Sequence, residues 1–91
     1  MNFEPKFETQ FRKDYKLCKK RNCNMKLLDD IMFKIQNDEP LDPVINCPHY
    51  LTGKNPRVTE CHIQSDWVLE YRYFENTVFF LRTGSHSDLF K

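Results

Sequence analysis

Val78-Phe79-Phe80-Leu81-Arg82-Thr83-Gly84-Ser85-His86-Ser87-Asp88-Leu89-Phe90 passes within a few residues from an apolar run to a polar turn. Val78 to Leu81 reads as a buried strand, so Arg82 emerges at its end and Gly84 permits a sharp turn. Ser85-x-x-Asp88 is a capping pattern. It places His86 at the first helical position, where unpaired backbone N–H groups favour an anion. Taken alone, these residues describe an ordinary strand-to-helix turn with a surface Arg and His.

Upstream lie two further strand signals, about Arg57 to His62 and Trp67 to Phe74, with turns at Gln64-Ser65 and Glu75-Asn76. Leu69, Tyr71 and Tyr73 alternate with Glu70 and Arg72, as in a sheet with one covered face. The stretch from Asp38 to about Pro56 carries prolines at 40, 43, 48 and 56 and reads as a long connection without regular structure. Long ordered loops in small domains are often functional, and this one holds His49-Tyr50-Leu51-Thr52-Gly53 and Lys54. Earlier still, Phe7, Phe11, Tyr15 and Cys18 repeat at helical spacing between about Glu8 and Arg21. Asn22-Cys23-Asn24 breaks that helix, and Leu28, Ile31, Met32 and Ile35 mark a second. Phe3 to Lys6 suits a short edge strand, since Pro5 lacks the N–H that a central strand needs. The expected fold is therefore α+β: one domain over residues 1–91, in the order strand, helix, helix, three strands. Its antiparallel sheet packs against an N-terminal helical hairpin.

Ninety-one residues suffice for one hydrophobic core, and 40% hydrophobic with 14% aromatic residues excludes a disordered chain. No apolar run approaches a bilayer span, and the first residues lack the apolar region of a secretory signal. A cytoplasmic protein with no membrane partner is expected, its four cysteines reduced. The net charge of +1 argues against holding nucleic acid by bulk electrostatics. Residues 1–38 carry nine Lys and Arg against six Asp and Glu, whereas residues 39–91 carry five against seven. Arg12, Lys13, Lys16, Lys19, Lys20 and Arg21 concentrate the basic excess on the first helix, as a solvated face, a phosphate-facing one, or both.

All three histidines, at 49, 62 and 86, lie in the second half. Glu60 and His62 share a strand face, and Asp66 and Trp67 follow just across the tight turn. Adjacent strands can bring them near Arg82 and His86. Histidines, acids, one Arg and aromatics suit metal-free RNA cleavage, in which the 2'-OH attacks its own phosphate. That reaction needs a base, an acid for the leaving 5'-oxygen, and positive charge on the phosphorane. Zinc would have to use Cys47-x-His49 with Cys61-His62. The usual Cys-x2-4-Cys spacing is absent, and neighbours on a strand point to opposite faces. Neither metal nor cofactor is expected.

In His49-x-Leu51-x-Gly53, in Glu60-x-His62 followed by Asp66-Trp67, and in Arg82-Thr83-Gly84-Ser85-His86 ending in Leu89-Phe90, the chain resembles the YafQ branch of the RelE-like toxins of bacterial toxin-antitoxin modules. The resemblance covers essentially the whole length. It implies a RelE-like fold and a ribosome-dependent endonuclease that cuts messenger RNA at the ribosomal A site. It also implies neutralisation by a cognate antitoxin in a hetero-oligomer. By position, His49, His62, Asp66 and His86 match the family's acid-base and phosphate-contacting set, Arg82 the phosphate-stabilising Arg, and Phe90 the aromatic near the RNA. Glu60, Lys54 and Trp67 join the expected RNA-contacting residues. Glu60 stands where Asp is common, and Thr59 where a basic residue is common, which removes a phosphate contact. In this reading His86 is the acid, Asp66 or His49 the base, and Arg82 the transition-state cation. The alternatives are a non-catalytic relative acting on a protein such as DNA gyrase, and an RNA-binding module without cleavage.

Overall fold

The computed structural model describes residues 2–90. Its elements are β1 (Glu4–Phe7), α1 (Thr9–Lys20), α2 (Met25–Gln36), β2 (His49–Tyr50), β3 (Thr59–Gln64), β4 (Trp67–Phe74), β5 (Thr77–Ser85) and α3 (His86–Leu89). Five strands form one sheet in the order β1-β5-β4-β3-β2. The sheet is mixed, not wholly antiparallel: β1 pairs in parallel with β5, Glu4 facing Thr77 and Phe7 facing Phe80. A helical hairpin intervenes between the first strand and the rest. It carries the chain to β2 at the opposite edge, and the antiparallel run from β2 to β5 then brings β5 alongside β1 in the parallel sense.

Both helices follow from their periodicity. α1 buries Phe11, Asp14 and Cys18, and α2 buries Leu28 and Ile35. Phe7, expected on the first helical stripe, instead ends β1, where its ring stacks on Phe11 and Phe80 at centroid distances of 5.8 and 5.6 Å. Asn22 ends α1 with φ of 62°, a left-handed conformation that asparagine tolerates better than most residues. The core joins Phe11, Leu28 and Ile35 of the hairpin to Cys61, Ile63, Leu69, Tyr71, Val78 and Phe80 of the sheet.

The strand ends differ from expectation by a few residues. β3 runs from Thr59 to Gln64 rather than from Arg57 to His62. Its turn to β4 is therefore Ser65-Asp66, and β5 runs from Thr77 to Ser85, well past the apolar run Val78 to Leu81. The proline-rich connection also contributes a strand, β2, in which His49 pairs with Glu60 and Tyr50 with Thr59. Its anchor is Asn46, buried at 4% exposure, whose amide donates to the His62 carbonyl at 2.8 Å. The His62 N–H returns a bond to the Asn46 carbonyl at 2.7 Å. The β3–β4 register shifts between His62 and Gln64.

Leu28 is fully buried at 0% exposure at the centre of the hairpin–sheet contact. Leu28→Ala is expected to cost about 2 to 5 kcal/mol, lost transfer energy plus the cavity left behind. Denaturant unfolding of the two proteins measures this, and activity should change only in proportion to the folded fraction.

Candidate active site

The end of β5 is built by a glycine and a cap acting together. Gly84 has φ of +154°, and a Cβ there would lie 3.3 Å from Oδ2 of Asp88. That space lets Asp88 fold back to accept the Ser85 N–H at 3.2 Å while its own N–H donates to Ser85 Oγ at 3.1 Å. The capping box starts α3 at His86 and fixes where its ring can go.

From there the imidazole meets two carboxylates. His86 Nδ1 lies 2.7 Å from Oδ1 of Asp66, and Nε2 lies 3.4 Å from Oε1 of Glu60. The same Glu60 oxygen is 3.4 Å from Nε2 of His49. His62 sits among them, its ring centroid 6.4 Å from that of His49 and 5.7 Å from that of His86. Phe90 stacks on His86 at 5.8 Å. Thus strand register and one capped turn gather His49, Glu60, His62, Asp66, His86 and Phe90 from four places in the chain.

The electrostatics separate the two outer histidines. The Asp66 hydrogen bond is the main cause that raises the His86 pKa, opposed by slight burial and aided by Glu60. The same bond is the main cause that lowers that of Asp66. With a carboxylate at each ring nitrogen, the charged form of His86 is favoured. His49 is placed differently, its Nδ1 lying 2.9 Å from the Cys47 carbonyl. A carbonyl only accepts, so Nδ1 carries a hydrogen, and Nε2 is left facing the Glu60 carboxylate at 3.4 Å.

Three expected residues stand apart from the cluster. Arg82 is engaged by Asp14 of α1, Nε to Oδ2 at 2.8 Å and Nη2 to Oδ1 at 3.4 Å. Trp67 packs against the core and donates its indole N–H to Thr83 Oγ1 at 2.9 Å. Lys54 lies in the exposed loop between β2 and β3, close enough to act electrostatically on Glu70. Glu60, expected as an RNA contact, is buried at 3% exposure beneath the histidines. Sequence reading missed Asp14, Asn46 and Glu70, all buried polar residues. For Glu70, strict strand alternation pointed to the solvent side; Asp14 and Asn46 gave no local signal.

Glu60, His62 and His86 also present ligand-type atoms within 4.8 Å of one another, the sole such trio among the described residues, and it contains no cysteine. Burial pushes the Cys61 thiol up to about 12, which works against a thiolate ligand there. Both ring nitrogens of His86 already face carboxylates. A depression of about 330 Å³ at the edge of the site takes His49 into its lining. The 440 Å³ depression between α1 and α2, lined by Phe7, Arg12, Tyr15, Lys16, Asp29 and Met32, shares no residue with it.

A helical hairpin on a five-stranded mixed sheet, with a histidine–carboxylate cluster at the sheet's end, defines a small α+β domain. The family of bacterial YafQ toxins of type II toxin-antitoxin systems matches residues 3–91, and the chain belongs to it. The mRNA interferase toxin YafQ of Escherichia coli K12 is 35% identical over 85 residues, which span 92% of this chain and 91% of that protein. The toxin in the crystal structure of the E. coli DinJ-YafQ toxin-antitoxin complex superposes with a TM-score of 0.91 at 30% identity, each chain covered in full. YafQ from E. coli BL21(DE3) superposes at 0.89 with 29% identity, over 98% of this chain and 99% of the other.

The Asp66–His86 pair ties stability to pH. The His86 pKa is raised above 6.5, so its contribution is complete below that value and fades as pH rises through the folded one. That of Asp66 is held below 3.8, so its contribution is present above that value and fades as pH falls through the folded one. The pair therefore supports the fold most between about pH 4 and 6.5. Asp66→Asn is expected to lower the His86 pKa. An NMR titration of the ring protons checks this, and an unchanged midpoint would rule out Asp66 as the cause.

Proposed function

We propose that this protein is the toxin of a type II toxin-antitoxin module and an endoribonuclease that cuts messenger RNA in the cytoplasm, silenced by a cognate antitoxin as a hetero-oligomer. Membership of the YafQ family and the kinship with mRNA interferase toxin YafQ support the activity. The DinJ-YafQ complex supports the partner. The observation that carries the chemistry is the pair of histidines over Glu60, one with its other nitrogen on a carboxylate and one with its other nitrogen on a backbone carbonyl.

In this reading His49 Nε2 takes the proton of the 2'-OH, and the 2'-oxygen attacks the adjacent phosphorus. His86 Nε2–H gives its proton to the departing 5'-oxygen, which leaves a 2',3'-cyclic phosphate and a 5'-hydroxyl. Of the two bases open from sequence, Asp66 is already occupied by the ring and backbone N–H of His86, which favours His49. Arg82 is oriented by Asp14 through two of its five N–H groups, and the others are available to the phosphorane. His62 stands beside both transfer groups as a further phosphate contact, and Phe90 offers an aromatic face to a splayed base.

His86→Ala is expected to lower cleavage by ~10²- to 10⁴-fold while the domain stays folded, because His86 lies on an exposed turn outside the core. Primer extension on messages from translating ribosomes reads this directly. Retained cutting in a folded variant would remove His86 from the acid role.

Cleavage is also expected to be fast on the ribosome and slow on free RNA. The net charge is +1, Thr59 is uncharged, and Arg82 is partly neutralised by Asp14, so few cations remain to grip a flexible strand. A decoding site that holds the message in line would supply the positioning, which can account for several kcal/mol of a barrier. One message, naked or ribosome-loaded, at equal enzyme and moderate salt makes the comparison. Equal rates would show that the enzyme orders RNA unaided.

A further inference from the structure

The histidines use Glu60 through one oxygen. Oε1 faces Nε2 of both His49 and His86, whereas Oε2 is buried without a hydrogen-bond partner among the described residues. A buried acceptor left unpaired is costly, and more so when it is charged. Directly opposite, across the β3–β4 pair, stands Glu70, itself buried at 8% exposure. Opposed residues in an antiparallel pair have Cβ atoms roughly 4.5 to 5.5 Å apart, within the reach of two glutamate side chains.

Two ionised carboxylates cannot remain together in such a place, so one of them keeps a proton. The surroundings decide which. Glu60 has His86, whose charged form is favoured, at Oε1 to support its charge. The charged groups acting on Glu70 are Glu60 on β3, Arg82 on β5, Asp14 on α1 and Lys54 in the loop. Of the two cations, Arg82 is already engaged by Asp14. Burial, and after it Glu60, raises the carboxyl pKa of Glu70 against those cations.

We propose that Glu70 is a positioning residue for the acid–base site: its protonated carboxyl donates a hydrogen bond to Oε2 of Glu60 and keeps Oε1 a fixed anion beneath His49 and His86. Glu70 lies in the cross-strand row His49, Glu60, Glu70, Arg82, and it alone in that row had no assigned part. The donor favours the charged form of Glu60.

The test compares Glu70→Gln, which keeps a donor at the same reach, with Glu70→Met, which keeps the length and removes the donor. Following the Glu60 side-chain carboxyl carbon by NMR, the midpoint is expected to stay in place in Glu70→Gln. In Glu70→Met it should rise by roughly one pH unit, the size of a hydrogen bond to a charged group. Were Glu70 ionised and merely repelling Glu60, both substitutions would lower the midpoint, which would overturn the proposal. An infrared difference spectrum covers the case in which Glu70→Met does not fold. A protonated-carboxyl band present in the wild type at neutral pH and absent in Glu70→Gln is expected, and no such band in the wild type refutes the assignment. Neither readout needs cleavage, so they stand apart from the reading of the site as a nuclease. Where cleavage is measured, the acid limb of the rate profile should move up with the Glu60 midpoint in Glu70→Met. A purely structural role would lower the rate equally at every pH.

Discussion

A carboxylate at 3% exposure between two imidazoles is the constraint around which this site is arranged. Charge at such a place is tolerated only where opposite charge and hydrogen bonds surround it. That requirement explains why the short strand β2 exists. It delivers His49 to the side of Glu60, while the capped turn after β5 delivers His86 to the other. Asp66 then closes the far side of His86, so that one ring lies between two acids, which raise its pKa.

The same logic of buried polar groups holds the helices to the sheet. Asp14 on α1 accepts from the Arg82 guanidinium and from the Thr83 backbone N–H, the latter at 3.2 Å. A helix otherwise attached by apolar contacts is thus keyed in register to the strand that ends at the active turn. A second contact on the same side, Arg21 to Asp88 at 3.1 Å, ties the end of α1 to the cap of α3. Asn46 does the equivalent work for the loop, bonding both backbone groups of His62. The residues of the cluster are therefore fixed by backbone and buried contacts, although His49 and Asp66 are exposed.

Periodicity and punctuation by themselves determined the order of the main elements, the two amphipathic helices, the meander of β3 to β5 and the capping box at Ser85. Each of these is a local property, set by side-chain spacing or by a residue's own backbone preference. The motif spacing around His49, His62, Asp66 and His86 was likewise legible and carried the family. Pairing partners were not. The parallel docking of β1 on β5, the small strand β2 in a proline-rich loop and the turn at Ser65-Asp66 depend on long-range contacts that leave no local signature. Tertiary structure alone also decided what each polar side chain meets. Arg82 pairs with Asp14, Trp67 turns its indole to Thr83, and Glu60 and Glu70 face each other inside the sheet. The physical reason is that burial belongs to the packed whole, so a strand's alternation can mark which face a glutamate is on without telling whether that face is covered.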